Sequence, residues 1–370
     1  MRLGIDGRKI PESRIRGPVG SLDHANELGM DGLFFRTVLD IAPTLDMGIL
    51  KATRQRADEL GMYLEMGLGK VNPYATPETP ELRAVGDGDI VLGFRRMMEA
   101  CAAIDCRELW VGTANYKPIY PGRYAVDRFR TDVTWPEQLE GIARFLGKLA
   151  PIARDLGIHI NLETHEEITS FEVVRLVEQA GTDAFGIVYD TSNGLQRLEH
   201  PVMVARRVAP YVRQTHFKDL AMVYRDGSVF AQSRPCGRGV IDFGTILQIL
   251  AAARPDIHIT IENEEPHDSG SKVYAAARHD ISDPAWLALH PDLTVEEYAA
   301  YIAMIRAYEQ RIASGDVPAL YAGARDFGYE QAVADIASSA THLRGLCEKL
   351  GLPLAARQTR QKGRVEGVHA

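Results

Sequence analysis

The feature that most constrains this chain is a repeated alternation. Eight short, mostly apolar runs recur along the first 262 residues: 2–6 (RLGID), 32–36 (GLFFR), 62–67 (MYLEMG), 108–112 (ELWVG), 158–163 (IHINLE), 185–190 (FGIVYD), 212–216 (VRQTH) and 257–262 (IHITIE). Near-continuous apolar runs are what parallel strands covered on both faces require. Helical periodicity fills the intervals, roughly at 20–29, 45–60, 91–105, 136–156, 171–180, 200–208 and 243–254. In 45–60, Met47, Leu50, Ala57 and Leu60 fall near helical spacing; in 136–156, Leu139, Ile142, Phe145, Leu146 and Leu149 do the same. Eight such units leave two architectures, a closed (β/α)8 barrel or an open doubly wound sheet. After the first strand the sequence reads Gly7-Arg8-Lys9, with neither GxGxxG nor a Walker loop. The reading is therefore an α/β protein built on a (β/α)8 TIM barrel, with long βα loops and a C-terminal helical extension.

The chain of 370 residues exceeds a minimal barrel of about 250. The barrel core is assigned to 1–262, a loop (264–292) and helices (294–314 and 328–350, with a turn at Gly315) that complete and wrap it to 263–354, and a polar tail to 355–370. Residues 68–90 and 113–135 are long connections on the face where barrel enzymes carry their sites. Hydrophobic residues at 45% and charged residues at 25% exclude a largely disordered chain. The net charge of −8 argues against nucleic acid as a partner. No apolar run approaches the roughly 20 residues of a membrane span, and the N-terminus has no signal-peptide core. The expectation is a cytoplasmic protein with no membrane association. Four cysteines without a CxxC pair fit reduced thiols.

Metal-ligand residue types end the last four predicted strands: Glu163, Asp190, His216 and Glu262. In a parallel barrel all strand C-termini open on one face. A charge that closes an apolar run is costly unless it pairs or binds a cation. Three carboxylates and one imidazole suit a single divalent ion, Mn²⁺ by preference, with Mg²⁺, Co²⁺ or Zn²⁺ as alternatives. The competing reading is that each acid caps the next helix, Asp190 above all. His165, just past the fifth strand, is a base candidate beside the metal; an exposed loop histidine is the alternative. Lys218 is placed to steady an enolate oxygen or to pair with Asp219. Glu65 and Arg36 are candidate substrate contacts, and Asn193 a support behind the metal. His267, His279 and His290 lie in the long late loop, where solvation is the favoured reading over entry into the site. Trp110 and Tyr116, Tyr120 and Tyr124 are read as a sugar platform or as packing.

The four ligands, the His216-Phe217-Lys218-Asp219 run and Gly237-Arg238-Gly239-Val240-Ile241-Asp242-Phe243 together resemble the sugar isomerase/epimerase superfamily, the xylose isomerase-like TIM barrels. That group includes the large subunit of C-glycoside deglycosidases. The resemblance spans about 1–262. It implies proton abstraction next to a sugar carbonyl through an enediolate, with Glu163 and Glu262 as acid and base. Isomerisation or epimerisation of a sugar or oxo-sugar is the first expectation. A lyase is the alternative, either a deglycosidase releasing an aglycone from a 3-oxo-glycoside or a keto-inositol dehydratase. An endonuclease would need more histidine ligands and a basic groove. Arg238 departs from the acidic residue frequent in relatives, and is read as a contact to a substrate oxygen or to a loop carboxylate. The resemblance also implies a small carbohydrate substrate and a homo-oligomer or small partner subunit.

Overall fold

The computed structural model describes residues 1–76, 79–115, 117, 120, 122–263, 277–321 and 328–355. Eight parallel strands, β1 (Leu3–Asp6), β2 (Gly32–Phe35), β3 (Tyr63–Lys70), β4 (Glu108–Gly112), β5 (His159–Glu163), β6 (Phe185–Asp190), β7 (Val212–His216) and β10 (Ile259–Ile261), are hydrogen-bonded in the order β10-β1-β2-β3-β4-β5-β6-β7. The ring closes between β7 and β10 just past the end of β7. There Phe217 N donates to Thr260 O at 2.7 Å and Glu262 N donates to Phe217 O at 2.9 Å. The expected barrel is therefore present.

Helices enclose it: α1 (Ser13–Glu27), α2 (Met47–Leu60), the short α3 (Pro80–Val85), α4 (Ile90–Ala103), α5 (Trp135–Leu156), α6 (Ser170–Ala180), α7 (Pro201–Val208) and α8 (Phe243–Ala253). Their starts were legible from side-chain chemistry. Thr134 and Thr169 each form a capping box with the glutamate three residues on, and Asp46, Asp89 and Asp242 cap α2, α4 and α8. The first helix begins well before residue 20. A turn at Ser13–Arg16 is joined to it across a kink at Gly17 (φ 65°), and Pro18 restarts the helix. Apolar periodicity cannot register that polar first turn.

Residues 219–242, between the seventh strand and the helix at 243, contain a hairpin of β8 (Asp219–Arg225) and β9 (Ser228–Arg234). Its turn is Asp226-Gly227, both at positive φ, between the paired Arg225 and Ser228. Such a two-residue Asp-Gly turn between strand-like runs is a strong hairpin signal, and it marks this one in the sequence. In the late loop, β11 (Ala277–His279) adds antiparallel to β9, followed by α9 (Pro284–Leu287). Then α10 (Val295–Ala313) packs on β8, with Tyr308 Oη donating to Arg238 O at 3.0 Å. Finally α11 (Tyr329–Lys349) packs on α8 and β10, and Arg344 donates to Gly29 O at 2.7 Å. It fills the eighth helical position. Among the described residues no helix is long and apolar enough to cross a membrane, and all four cysteines are free and buried.

The barrel interior follows a strict period of two. Asn161, Val188, Gln214 and Thr260 sit one pleat below Glu163, Asp190, His216 and Glu262. Phe34, Trp110 and Val188 form an apolar cluster there, with the Phe34 ring 4.8 Å from that of His216. The loop after β7 is tied by Asp219, which is fully buried. Its carboxylate accepts the backbone N–H groups of Leu220, Gly237, Gly239 and Ile241 at 2.7 to 3.1 Å. The glycine-rich segment thus serves to wrap this carboxylate.

Asp219→Ala strands four buried N–H groups. We expect a loss of about 3 kcal/mol in urea unfolding at unchanged slope. An unmoved midpoint would remove Asp219 from this role.

Candidate active site

The strand register delivers the four predicted ligands to one point. Glu163 and Asp190 are the last residues of β5 and β6, His216 ends β7, and Glu262 follows β10. All are buried, and one ligand atom from each lies within 4.8 Å of the others. His216 presents Nδ1, 2.9 Å from Glu163 Oε1 and 3.3 Å from Glu262 Oε2. Trp110 Nε1 donates to Glu163 Oε2 at 2.8 Å. Arg36 binds Glu262 Oε1 and Asp6 Oδ2. Lys218 Nζ stands 2.9 Å from Asp190 Oδ2 and 3.2 Å from Glu262 Oε2.

Asp190 satisfies both readings of its sequence position, one oxygen each. Oδ1 accepts the backbone N–H of Ser192 and Asn193, both at 2.8 Å, as a helix cap does. Oδ2 is sealed from solvent without a hydrogen bond, and so is Glu262 Oε2. Lys218 Nζ is the cation that faces both oxygens, at a place suited to a divalent ion. A donor set of oxygens with one imidazole nitrogen fits a divalent ion.

Charge is distributed accordingly. Burial opposes ionisation of Glu163, but His216 outweighs it and holds the carboxyl at about 2. Glu262 is held well below the usual range by Lys218, Arg36 and His216, again against burial. Burial raises Asp190 to about 6 despite Lys218. The carboxylates in turn lift His216 to about 9 against burial.

His165 lies beside the quartet, not in solvent. Its side chain is 14% exposed, with Nε2 4.0 Å from Glu163 Oε2. Nδ1 is bonded to Glu167, whose other oxygen accepts from Thr113. Burial opposes the imidazolium, yet Glu167 raises the pKa overall. Glu167 was not singled out in the sequence; it meets His165 across the turn that follows β5, where Ile168 N donates to His165 O at 3.4 Å. Lys70 was also missed. It ends β3 with Nζ 5.1 Å from the Trp110 ring, and burial lowers its pKa.

The remaining candidates separate. Arg36 joins the site through Glu262, and Asn193 through its backbone contact with Asp190. Lys218 turns to Asp190 and Glu262, and not to Asp219, which the loop N–H groups already occupy. Glu65 lies a layer lower, accepting from Thr260 Oγ1 at 2.9 Å, with burial pushing it up to about 7. Arg238 is exposed and lines an outer cleft with His342 of α11, because Asp219 folds its segment away from the mouth. Neither is brought to the quartet. Trp110 is interior and serves Glu163, while Tyr120 and Tyr124 are half-exposed. Tyr116 and His267 lie outside the described residues. His290, expected in a solvated loop, is 4% exposed, stacked 3.8 Å from the Trp286 ring. His279 is half-buried in β11.

Two outcomes are expected. Glu262→Gln should weaken Mn²⁺ binding by roughly a hundredfold in calorimetric titration; unchanged affinity would remove Glu262 from the ligand set. Metal binding needs neutral His216, whose pKa of about 9 keeps it protonated at neutral pH. Affinity should therefore climb with pH up to about 9, with proton release on binding, and a flat pH profile would contradict the assignment.

The model of the xylose isomerase-like TIM barrel family matches residues 22–286. A 3-oxo-isoapionate decarboxylase of Pectobacterium atrosepticum is 24% identical over 265 residues, 70% of this chain and 83% of that one. The uncharacterized protein YihM of Escherichia coli (strain K12) is 27% identical over 115 residues, 31% of this chain; the chain spans about a third (35%) of that relative. Among solved structures, an L-ribulose 3-epimerase shares the fold with a TM-score of 0.55 at 16% identity, covering 97% of this chain and 99% of that one. The 3-keto-D-glucoside 4-epimerase YcjR of E. coli does so with 0.53 at 13%, covering 83% and 99%. With its family model matched over most of its length and its eight-stranded barrel in place, the chain belongs to the xylose isomerase-like TIM barrel family.

Proposed function

We propose that this chain is a divalent-metal-dependent isomerase or epimerase that forms an enediolate from a sugar or oxo-sugar with a hydroxyl beside its carbonyl. The observation that carries the reading is a buried quartet whose ligand atoms lie within 4.8 Å of one another, next to an imidazole that is not one of them. Glu163, Asp190, His216 Nδ1 and Glu262 would hold the ion, for which Mn²⁺ is favoured. A bound ion would polarise the carbonyl and acidify the neighbouring C–H. His165 removes that proton. Glu167 fixes the ring through Nδ1 and leaves Nε2 as the face turned to the site. Lys218 Nζ is the donor placed for the oxygen where charge develops. The substrate is a small carbohydrate and the compartment the cytoplasm.

One observation favours a lyase as the second reading. Arg36 and Lys218 hold Glu262 ionised and weakly basic, so the two flanks of the site are unequal. Inversion at carbon needs proton transfer on both faces. Elimination of an aglycone or water needs one base to take the proton, and loss of CO₂ needs one acid to protonate the enediolate left behind. The decarboxylase relative has a name of this class.

The test is incubation of the Mn²⁺-loaded protein in D₂O with ketoses, 3-oxo-glucosides and a 3-oxo-C-glycoside, read by mass spectrometry. Deuterium in an intact carbon skeleton supports the isomerase. Release of aglycone, water or CO₂ supports the lyase. His165→Ala should retain metal and lose exchange by roughly 10²- to 10⁴-fold, and Glu167→Gln should lower kcat with metal content unchanged. Wild-type exchange in His165→Ala would exclude His165 as the base.

A further inference from the structure

Arg197 is a buried cation with no ion pair among the described residues. It sits on the turn that follows Asp190, on the same barrel face as the quartet, and is 2% exposed. Its guanidinium lies beside the stacked rings of Phe129 and Trp286, 5.3 Å from each centroid. Among the described residues its one hydrogen-bond contact is Nη1 to His290 Nε2 at 3.2 Å, and its Nε is sealed from solvent with no partner. His290 Nδ1 meets Trp286 O at 2.9 Å. A carbonyl can only accept, so Nδ1 carries the proton and Nε2 is the acceptor for Arg197. His290 is thus neutral and supplies no negative charge.

Two other buried arginines, whose Nε atoms are likewise unpartnered, show what is missing. Arg128 is equally buried and is paired with Glu172 Oε2 at 2.8 Å. Arg234 has no carboxylate but donates to Gln232 Oε1, Ser233 O and Ala319 O. Arg197 has neither arrangement. Burial, with Arg128 nearby, lowers its pKa to about 9, and His279 is lowered to about 4 by burial and by Arg197. The field of Glu167, the partner of His165, also reaches Arg197. A desolvated guanidinium this poorly matched is unfavourable unless an anion completes it.

We propose that Arg197 receives a carboxylate of the substrate, so that the molecule turned over is an oxo-sugar acid and not a neutral sugar. The inference rests on the metal-and-His165 reading above for which bond reacts, but not for the anion subsite itself. A guanidinium fork matches a carboxylate in shape and charge. A phosphate dianion is less well served, because Arg128 is already paired and no glycine-rich cradle adjoins Arg197. The carboxylate would displace no ion pair on binding, since Arg197 has none to break among the described residues.

The experiment is calorimetric titration of the Mg²⁺-loaded full chain with D-gluconate, D-glucitol and D-glucitol 6-phosphate, in the wild type, Arg197→Gln and Arg197→Lys. Gluconate should bind more tightly than glucitol in the wild type. Arg197→Gln should weaken gluconate by roughly tenfold or more and leave glucitol unchanged, while Arg197→Lys should retain part of the preference. Equal binding of acid and polyol, an unchanged preference in Arg197→Gln, or tighter binding of the phosphate would each overturn the proposal. Deuterium exchange in D₂O separates it from the broader reading. Exchange on 3-oxo-glucose but not on 3-oxo-gluconate overturns the subsite and leaves the metal chemistry standing. Loss of gluconate binding in Arg197→Gln with no exchange on either sugar supports the subsite and counts against the chemistry. Should Arg197→Gln fail to fold, Arg197→Lys carries the same comparison.

Discussion

Three carboxylates converge in the mouth of the barrel with little water to solvate them, and much of the surrounding structure answers that charge. Glu163, Asp190 and Glu262 each end an apolar strand on a floor of Phe34, Trp110 and Val188. Isolated, such groups would protonate or destabilise the fold. They stay ionised or nearly so because Arg36, Lys218 and His216 are inserted among them, with Trp110 and the backbone after Asp190 supplying neutral donors. One oxygen of Asp190 and one of Glu262 make no hydrogen bond and are met by the Lys218 ammonium, with His216 beside the second. A rigid barrel is what allows this. Its strands cannot slide apart to relieve the repulsion without breaking the ladder on both sides.

The compensation is also lopsided, and that asymmetry organises the chemistry. On the Glu262 flank, Arg36 and Lys218 bring fixed positive charge. On the Glu163 flank stands a chain of groups that can pass a proton: His165, then Glu167, then Thr113. Lys70 adds a positive field to that side and has no ion pair among the described residues. A substrate held at the quartet would thus meet different environments on its two faces.

The periphery is assembled from segments far apart in sequence. Asp219 gathers four backbone N–H groups and sends the glycine-rich segment, Arg238 included, outward against α11. Phe129 after β4, Arg197 after β6, and Trp286 and His290 beyond β10 meet one another: the two aromatic rings stack, and the guanidinium lies beside them.

The sequence by itself determined the barrel and the quartet. Strand burial writes itself as apolar runs, and a period of two fixes which residue at each strand end faces inward. Glu163, Asp190, His216 and Glu262 were therefore legible without coordinates. The Asp226-Gly227 hairpin was legible too, through turn chemistry, but went unread. Only the tertiary structure decided the partners. Whether Lys218 meets Asp219 or Asp190, whether Glu65 reaches the mouth or the layer below, and whether Arg238 faces in or out all depend on loop paths. Those paths are set by hydrogen bonds between residues tens to hundreds of positions apart, which leave no periodic trace in the chain. Arg197 is the extreme case. Nothing local distinguishes it from a surface arginine. Its burial beside Phe129 and Trp286, with a neutral histidine in place of a carboxylate, exists only once three loops distant in sequence have met.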